Sequence, residues 1–205
     1  MLRFRTFLNE LVHIRFSLVL SSVLFIIGIG AGWVSTDRLE QFLLSQLGGL
    51  SEIGQALSQS ENPQWSFFLF IFLNNSIKGV MIIFLGAIFG ILPVFFLLVN
   101  GMVIGYLLHI SMLQGENLTE LIFKGLLPHG IIEIPVILIA CGFGLRFGGL
   151  VLKSMTAMGS SRTKSLGAEW ERFMRSTATA SFWIVVLLLV AAVIESTINF
   201  ALMRA

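Results

Sequence analysis

The sequence predicts an all-α, polytopic transmembrane helical bundle of about five spanning helices with an amphipathic outer loop. Of its 205 residues, 56% are hydrophobic and only 12% are charged, whereas an average soluble domain carries about 25% charged residues. So few charges cannot cover a water-soluble globule. The 20 glycines point the same way, because glycine is more frequent in helices within a bilayer. We expect a single membrane domain over residues 1–205.

Five apolar windows are long enough to cross a bilayer, which takes roughly 20 residues for about 30 Å of hydrocarbon. The second window contains Asn74, Asn75 and Lys78, so both one tilted helix and a broken helix remain open. Pro93 and Pro128 suit the first turns of the third and fourth helices. The first window is interpreted as an uncleaved anchor, because no convincing signal-peptide cleavage site follows it. The predicted spans are residues 16–34, 65–92, 93–113, 128–149 and 179–203.

Two connecting segments are long. The outer loop, residues 35–64, carries acidic residues and apolar residues at roughly helical spacing, and Gly48-Gly49 predicts a break into two short helices. Such a segment lies in the lipid interface or forms a docking surface for an extracytoplasmic protein. The basic segment 150–178 predicts a cytoplasmic loop with a short amphipathic helix near residues 168–175.

The distribution of cations predicts the orientation, because short cytoplasmic loops retain Lys and Arg. With five spans and a cytoplasmic N-terminus, nine cations fall inside and three outside, and Lys78 lies within the membrane. We therefore expect the C-terminus outside. The inner cations are Arg3, Arg5, Arg15, Arg146, Lys153, Arg162, Lys164, Arg172 and Arg175, and the outer ones are Arg38, Lys124 and Arg204.

Small residues one helical turn apart allow close approach of helix backbones. Such spacings predict packing within the protomer, with a homodimer seam as the alternative. The single cysteine, Cys141, excludes an intrachain disulfide and a metal cluster of several cysteines. The four G-x-x-x-G spacings are Gly28/Gly32, Gly86/Gly90, Gly101/Gly105 and Gly144/Gly148.

Polar residues inside the predicted spans form the candidate site, because ionisable groups in hydrocarbon are costly and normally face a protein interior. At a rise of about 1.5 Å per residue, Asn74, His109, Glu133 and Glu195 lie roughly 6 to 14 Å from the outer ends of their helices. We therefore expect four helices to bring polar side chains together in the outer half of the bilayer. His129 and Glu133 share one helix face at i, i+4. The predicted intramembrane polar cluster is Asn74, Asn75, Lys78, Asn100, His109, His129, Glu133 and Glu195.

Four interpretations of this cluster remain open. In the first, Lys78 pairs with Glu133 or Glu195 and the cluster only fixes helix packing. In the second the cluster relays protons, and in the third Glu133 activates a water molecule. In the fourth, His129 and Glu133 bind a metal ion together with His109 and Glu195. No metal-binding motif supports the last interpretation, and we assign no metal and no cofactor. The sequence shows no phosphate-binding loop and no nucleic-acid surface, and the basic 146–175 stretch suits anionic lipid.

The segment Leu127-Pro128-His129-Gly130 with Glu133 is the most specific of several motifs between about residues 65 and 149. Together these motifs resemble the stage II sporulation protein M family of integral membrane proteins. The resemblance implies a five-helix protein of a bacterial-type plasma membrane. The protein after which the family is named anchors secreted cell-wall hydrolases while septal peptidoglycan is thinned. If the family shares a chemistry, the resemblance places it at Asn74, Asn75, Asn100, His129 and Glu133. The other matching residues are Gly86, Gly90, Gly101, Gly105, Gly142, Gly144 and Gly148.

Three functions follow as hypotheses. The first is a non-enzymatic scaffold that organises extracytoplasmic cell-wall proteins at the lipid bilayer. The second is a transporter or permease subunit with a protonatable site, Glu133 or Glu195, in the outer half of the bilayer. The third is an intramembrane hydrolase that uses Glu133 and His129, so catalytic residues are assigned only on that condition. We expect a protein without enzymatic activity rather than an enzyme.

Overall fold

Helices make up nearly all of the computed structural model, which describes residues 3–34, 37–120, 122, 127–157 and 163–204. Five of the helices are long and apolar enough to cross a membrane, so the predicted fold class is confirmed. The elements in chain order are α1 (Phe4–His13), α2 (Arg15–Trp33), α3 (Asp37–Ser58), α4 (Pro63–Leu85), α5 (Ile91–Leu113), α6 (Leu118–Glu120), α7 (Leu127–Thr156) and α8 (Thr163–Arg204).

The second predicted span is a single continuous helix, α4, which passes through both asparagines and Lys78 without a break. It ends at Leu85 rather than near Leu92, and α5 begins at Ile91, two residues before Pro93. The intervening turn includes Phe89 at φ 52° and Gly90 at φ 75°. A left-handed backbone ends a helix, and glycine adopts it at no steric cost, so this turn reverses the chain between two spans.

The outer segment differs from the prediction, because α3 continues through Gly48 and Gly49 instead of breaking into two short helices. A glycine inside a helix costs only about 1 kcal/mol relative to alanine. That penalty is too small to interrupt a 22-residue helix that is anchored by the fully buried Leu43 and packs against α4 and α5. The prediction of two helices was wrong.

The prediction of a loop over residues 150–178 was also wrong, since α7 continues to Thr156 and α8 already begins at Thr163. The described polar residues of this segment lie on two paired helices. Glu169 forms ion pairs with Lys153 at 2.5 Å and Arg146 at 3.7 Å, while the Trp170 Nε1 group donates a hydrogen bond to Ser154 Oγ at 2.8 Å. Residues 168–175 are helical, but as part of α8.

Helix α7 lies at the centre of the bundle and contacts α2, α4, α5 and α8. The most extensive pairing joins α2 to α5, where a Cβ atom added at Gly32 would lie 2.0 Å from the Met102 carbonyl oxygen. The α4–α5 turn docks on α7 in the same way, because a Cβ on Gly86 would lie 2.1 Å from the Gly144 carbonyl oxygen. In the structure, the glycines of the four spacings therefore lie at contacts between helices of this chain.

Although α4 and α5 are consecutive, they contact each other sparsely beyond their shared turn. Helix α4 instead packs along α8 and α7, and α5 packs along α2. The two helices therefore diverge, and α7 closes the space between them from behind. This divergence creates the cavity in which the candidate site lies.

Candidate functional site

A cavity of about 430 Å³ lies between α4, α5 and α7, with Phe25 of α2 at its side. We call it the cleft. Most of its described wall is apolar, and four polar side chains interrupt that part of the wall. This composition is typical of small-molecule sites, which are mostly apolar with a few placed polar groups. The polar residues of the cleft are Asn75, Lys78, Asn100 and Glu133.

Helix α4 supplies two of these residues, Asn75 and Lys78, which are three residues apart and therefore share a helix face. The preceding residue, Asn74, does not line the cleft, but its Nδ2 group donates a hydrogen bond to Asn75 Oδ1 at 3.2 Å. Gly79 is buried and also lines the cleft, and a Cβ atom added there would lie 3.3 Å from side-chain atoms of Ile184 and Leu188. Helix α8 therefore packs directly beside the polar residues that α4 contributes to the cleft.

Asn100 comes from the opposite wall, near the middle of α5. Its Nδ2 group donates to the Phe96 carbonyl oxygen at 2.8 Å, one turn earlier in the same helix. This bond fixes the amide plane at the cleft surface. The cleft therefore presents two side-chain amides, each able to donate and accept hydrogen bonds.

Helix α7 forms the back wall and contributes Glu133, which is partly buried, together with Gly130, Ile134 and Ile137. Pro135 lies within this stretch. A proline inside a helix removes one backbone hydrogen bond and is tolerated in membrane helices where neighbouring groups compensate. Helix α7 nevertheless continues through Pro135 without a break.

The polar groups lie deep between the ends of the spans. Lys78 is seven residues from the end of α4, and Asn100 is nine residues from the start of α5; these spacings correspond to about 10 and 14 Å. Lys78 is exposed, and no described side chain forms an ion pair with it. A lysine facing hydrocarbon costs at least about 2.5 kcal/mol, so this position is expensive to maintain without a function.

His109 and Glu195, two other members of the predicted cluster, do not line the cleft. His109 packs its ring edge against Trp33 at 5.3 Å on the α2 side of α5, and its buried Nδ1 atom has no hydrogen-bond partner among the described residues. Glu195 lies on α8, which packs on α4 and α7, and it does not line the cleft. His129 belongs to α7, but its side chain lies outside the described part of the structure.

The described residues that line the cleft supply one ammonium group, one carboxyl group and two amides. These groups can bind a polar or charged ligand and can exchange protons. Within the described lining there is no hydroxyl, thiol or imidazole group. The described residues also contain no group of three His, Cys, Asp or Glu side chains that could hold a metal ion.

Comparison with known proteins matches residues 21–199 of the chain to a family model described as stage II sporulation protein M. The matched region extends well beyond the motifs at residues 65–149 and includes all helices that form the cleft. No curated protein and no solved structure matches the chain.

Proposed function

The chain belongs to the stage II sporulation protein M family, and we propose that it acts as a transporter or permease subunit whose ligand site is the cleft. The observation that carries this proposal is the convergence of Asn75, Lys78, Asn100 and Glu133 on one cavity between three spanning helices. Membrane transporters typically place their sites near the bilayer midplane, where irregular or polar groups line a cavity. The proposed location is the plasma membrane, with the N-terminus in the cytoplasm.

The charges of the cleft suggest how binding is coupled to protons. With Lys78 protonated and Glu133 ionised, these two residues together carry no formal net charge. Uptake of one proton by Glu133 leaves the pair cationic and changes its attraction for a charged ligand. A ligand that binds the two states unequally shifts the equilibrium between them, and this difference can drive opening.

The first test asks whether water reaches the cleft. Cysteine is introduced at Lys78 and, as a matched control, at the adjacent exposed residue Ile77, which does not line the cleft. Both variants carry Cys141→Ala. Because the thiolate is the reactive form and needs water to ionise, we expect a charged, membrane-impermeant thiol reagent to modify Lys78→Cys about tenfold faster or more. Equal rates at the two positions would contradict a water-accessible cleft.

Coupling is measured in proteoliposomes that contain an entrapped pH-sensitive dye and carry an imposed membrane potential. We expect proton uptake with the wild type, loss of that uptake in Glu133→Gln, and no change in Glu116→Gln, which alters an exposed residue near the end of α5. A wild-type rate equal to that of empty vesicles would refute the proton-coupled mechanism.

A scaffold function is the second candidate, and α3 is the observation that favours it. This 22-residue helix presents Phe42, Leu44, Ile53 and Glu52 at its surface. In the proposed orientation α3 lies outside the cell membrane, where it meets extracytoplasmic proteins. An exposed amphipathic helix supplies apolar anchors for such a partner.

The scaffold function predicts that immobilised protein retains peptidoglycan-hydrolase activity from a secreted protein fraction. We expect the double substitution Phe42→Ser and Ile53→Ser to lower the retained activity about tenfold or more, because buried apolar anchors dominate interface energies. Met155→Ser removes an exposed apolar side chain at the end of α7 and serves as the control. Failure of the wild-type protein to retain any activity would exclude this function.

A further inference from the structure

The cleft opens between two helices rather than along the axis of the bundle. Its walls belong to α4 and α5, which diverge from their shared turn, and α7 stands behind them. Phe95 lines the cleft and is 60% exposed, and Lys78 lines it and is exposed as well. Residues that line a cavity and also face the outside of a spanning bundle mark its mouth. The mouth of the cleft therefore faces the hydrocarbon of the bilayer.

The lining near this mouth combines an apolar surface with the Lys78 cation, while the carboxyl group of Glu133 belongs to α7, which forms the back wall. The exposed rim includes the Phe95 ring, and the inner wall includes Val99, Ile134 and Ile137. The Lys78 ammonium group forms no ion pair with the described side chains. A cation in hydrocarbon normally finds a counter-charge. An anion carried by an apolar chain would supply both the charge and the apolar contacts.

We propose that the cleft binds a single-chain anionic amphiphile, such as a fatty acid, which reaches it sideways from the bilayer. The acidic head pairs with Lys78 and accepts hydrogen bonds from the Asn75 and Asn100 amides. The acyl chain lies along the apolar lining towards Phe95. A volume of about 430 Å³ falls within the ~300–1,000 Å³ range of sites for small molecules. This inference rests on the proposed ligand site and names its ligand class.

The test measures binding of tritiated oleate to the purified full-length protein in nanodiscs, with empty nanodiscs as the blank. We expect saturable binding by the wild type and at least about tenfold weaker binding by Lys78→Gln, because a charged hydrogen bond contributes about 1.5–3 kcal/mol and 1.4 kcal/mol is tenfold. Lys153→Gln is the matched control, since it removes the same charge from the end of α7 outside the cleft. Oleyl alcohol, which lacks the charge, should compete poorly.

Three outcomes would overturn the inference. Equal loss of binding in Lys78→Gln and Lys153→Gln would show that oleate is attracted to the cations of the protein in general and not to Lys78 in particular. Equal affinity for acetate and oleate would show that the site binds small water-soluble anions and that the apolar chain does not contribute to binding. A disulfide between two copies of Lys78→Cys would place a second copy of the chain at the mouth instead of a lipid.

The outcome is separable from that of the proposed function. If the thiol reagent reaches Lys78→Cys but oleate does not bind, the ligand site stands and the lipid ligand is wrong. If neither occurs, both proposals fail.

Discussion

Alanine at Gly32 is expected to lower the free energy of unfolding by about 1–3 kcal/mol, the cost of overpacking a tight core. The added Cβ atom would lie 2.0 Å from the Met102 carbonyl oxygen and 2.7 Å from its Cα atom. Both are backbone atoms, so no side-chain rotation can relieve the clash. The α2 and α5 helices must separate, and the loss of packing extends along their whole contact.

Gly30→Ala is the matched control, because Gly30 lies two residues away on the same helix and a Cβ atom there would meet nothing within 4 Å. The better helix propensity of alanine should leave this variant unchanged or slightly more stable. Equilibrium unfolding in mixed detergent and SDS micelles, followed by circular dichroism, measures both. Equal stability of the two variants would show that the α2–α5 contact is not this tight.

Phe143→Ala should strongly destabilise the bundle, because it truncates a fully buried side chain. Phe143 is 0% exposed at the centre of α7 and belongs to the core that includes Ile82, Leu97 and Ile184. Truncation of a buried Phe costs about 3–5 kcal/mol in soluble cores. The unfolded helices stay in lipid, so the hydrophobic part of that cost is reduced, and we expect about 3 kcal/mol from lost packing contacts.

Phe16→Ala makes the same chemical change at a side chain that is 81% exposed on α2. It should change stability by less than about 0.5 kcal/mol, as surface substitutions usually do. The same detergent titration measures both variants. A loss in Phe16→Ala as large as that in Phe143→Ala would mean that burial within the bundle does not govern stability here.

The number and type of the spans were predictable, because crossing a bilayer requires long apolar helices and the sequence contains five. The positions at which the helices end outside the spans were not predictable. The polar residues around Lys153 and Glu169 suggested a loop, yet cross-helix ion pairs and the Trp170 hydrogen bond allow two helices to continue. Local composition cannot reveal a partner 16 residues away in sequence that satisfies those groups.

The sequence identified the polar residues within the spans, but not which of them share a cavity. Nine residues separate Asn100 from His109, and at about 100° per residue that spacing places them on opposite faces of α5. Accordingly Asn100 lines the cleft, while His109 packs on Trp33. Glu195 is separated for another reason: it lies on α8, and no described residue of α8 lines the cleft. Which helices become neighbours depends on tertiary packing, which the sequence pattern does not contain.

The pairing of α2 with α5 has a consequence for how the protein is made. Helix α2 ends at Trp33, whereas α5 begins at Ile91. At a synthesis rate of roughly 5–20 residues per second, several seconds pass before α5 leaves the ribosome. During that interval the surface of α2 that contains Gly28 and Gly32 faces lipid or the insertion machinery. Biogenesis therefore includes a delayed docking step, and a substitution such as Gly32→Ala should act on assembly yield in the cell as well as on the stability of the finished protein.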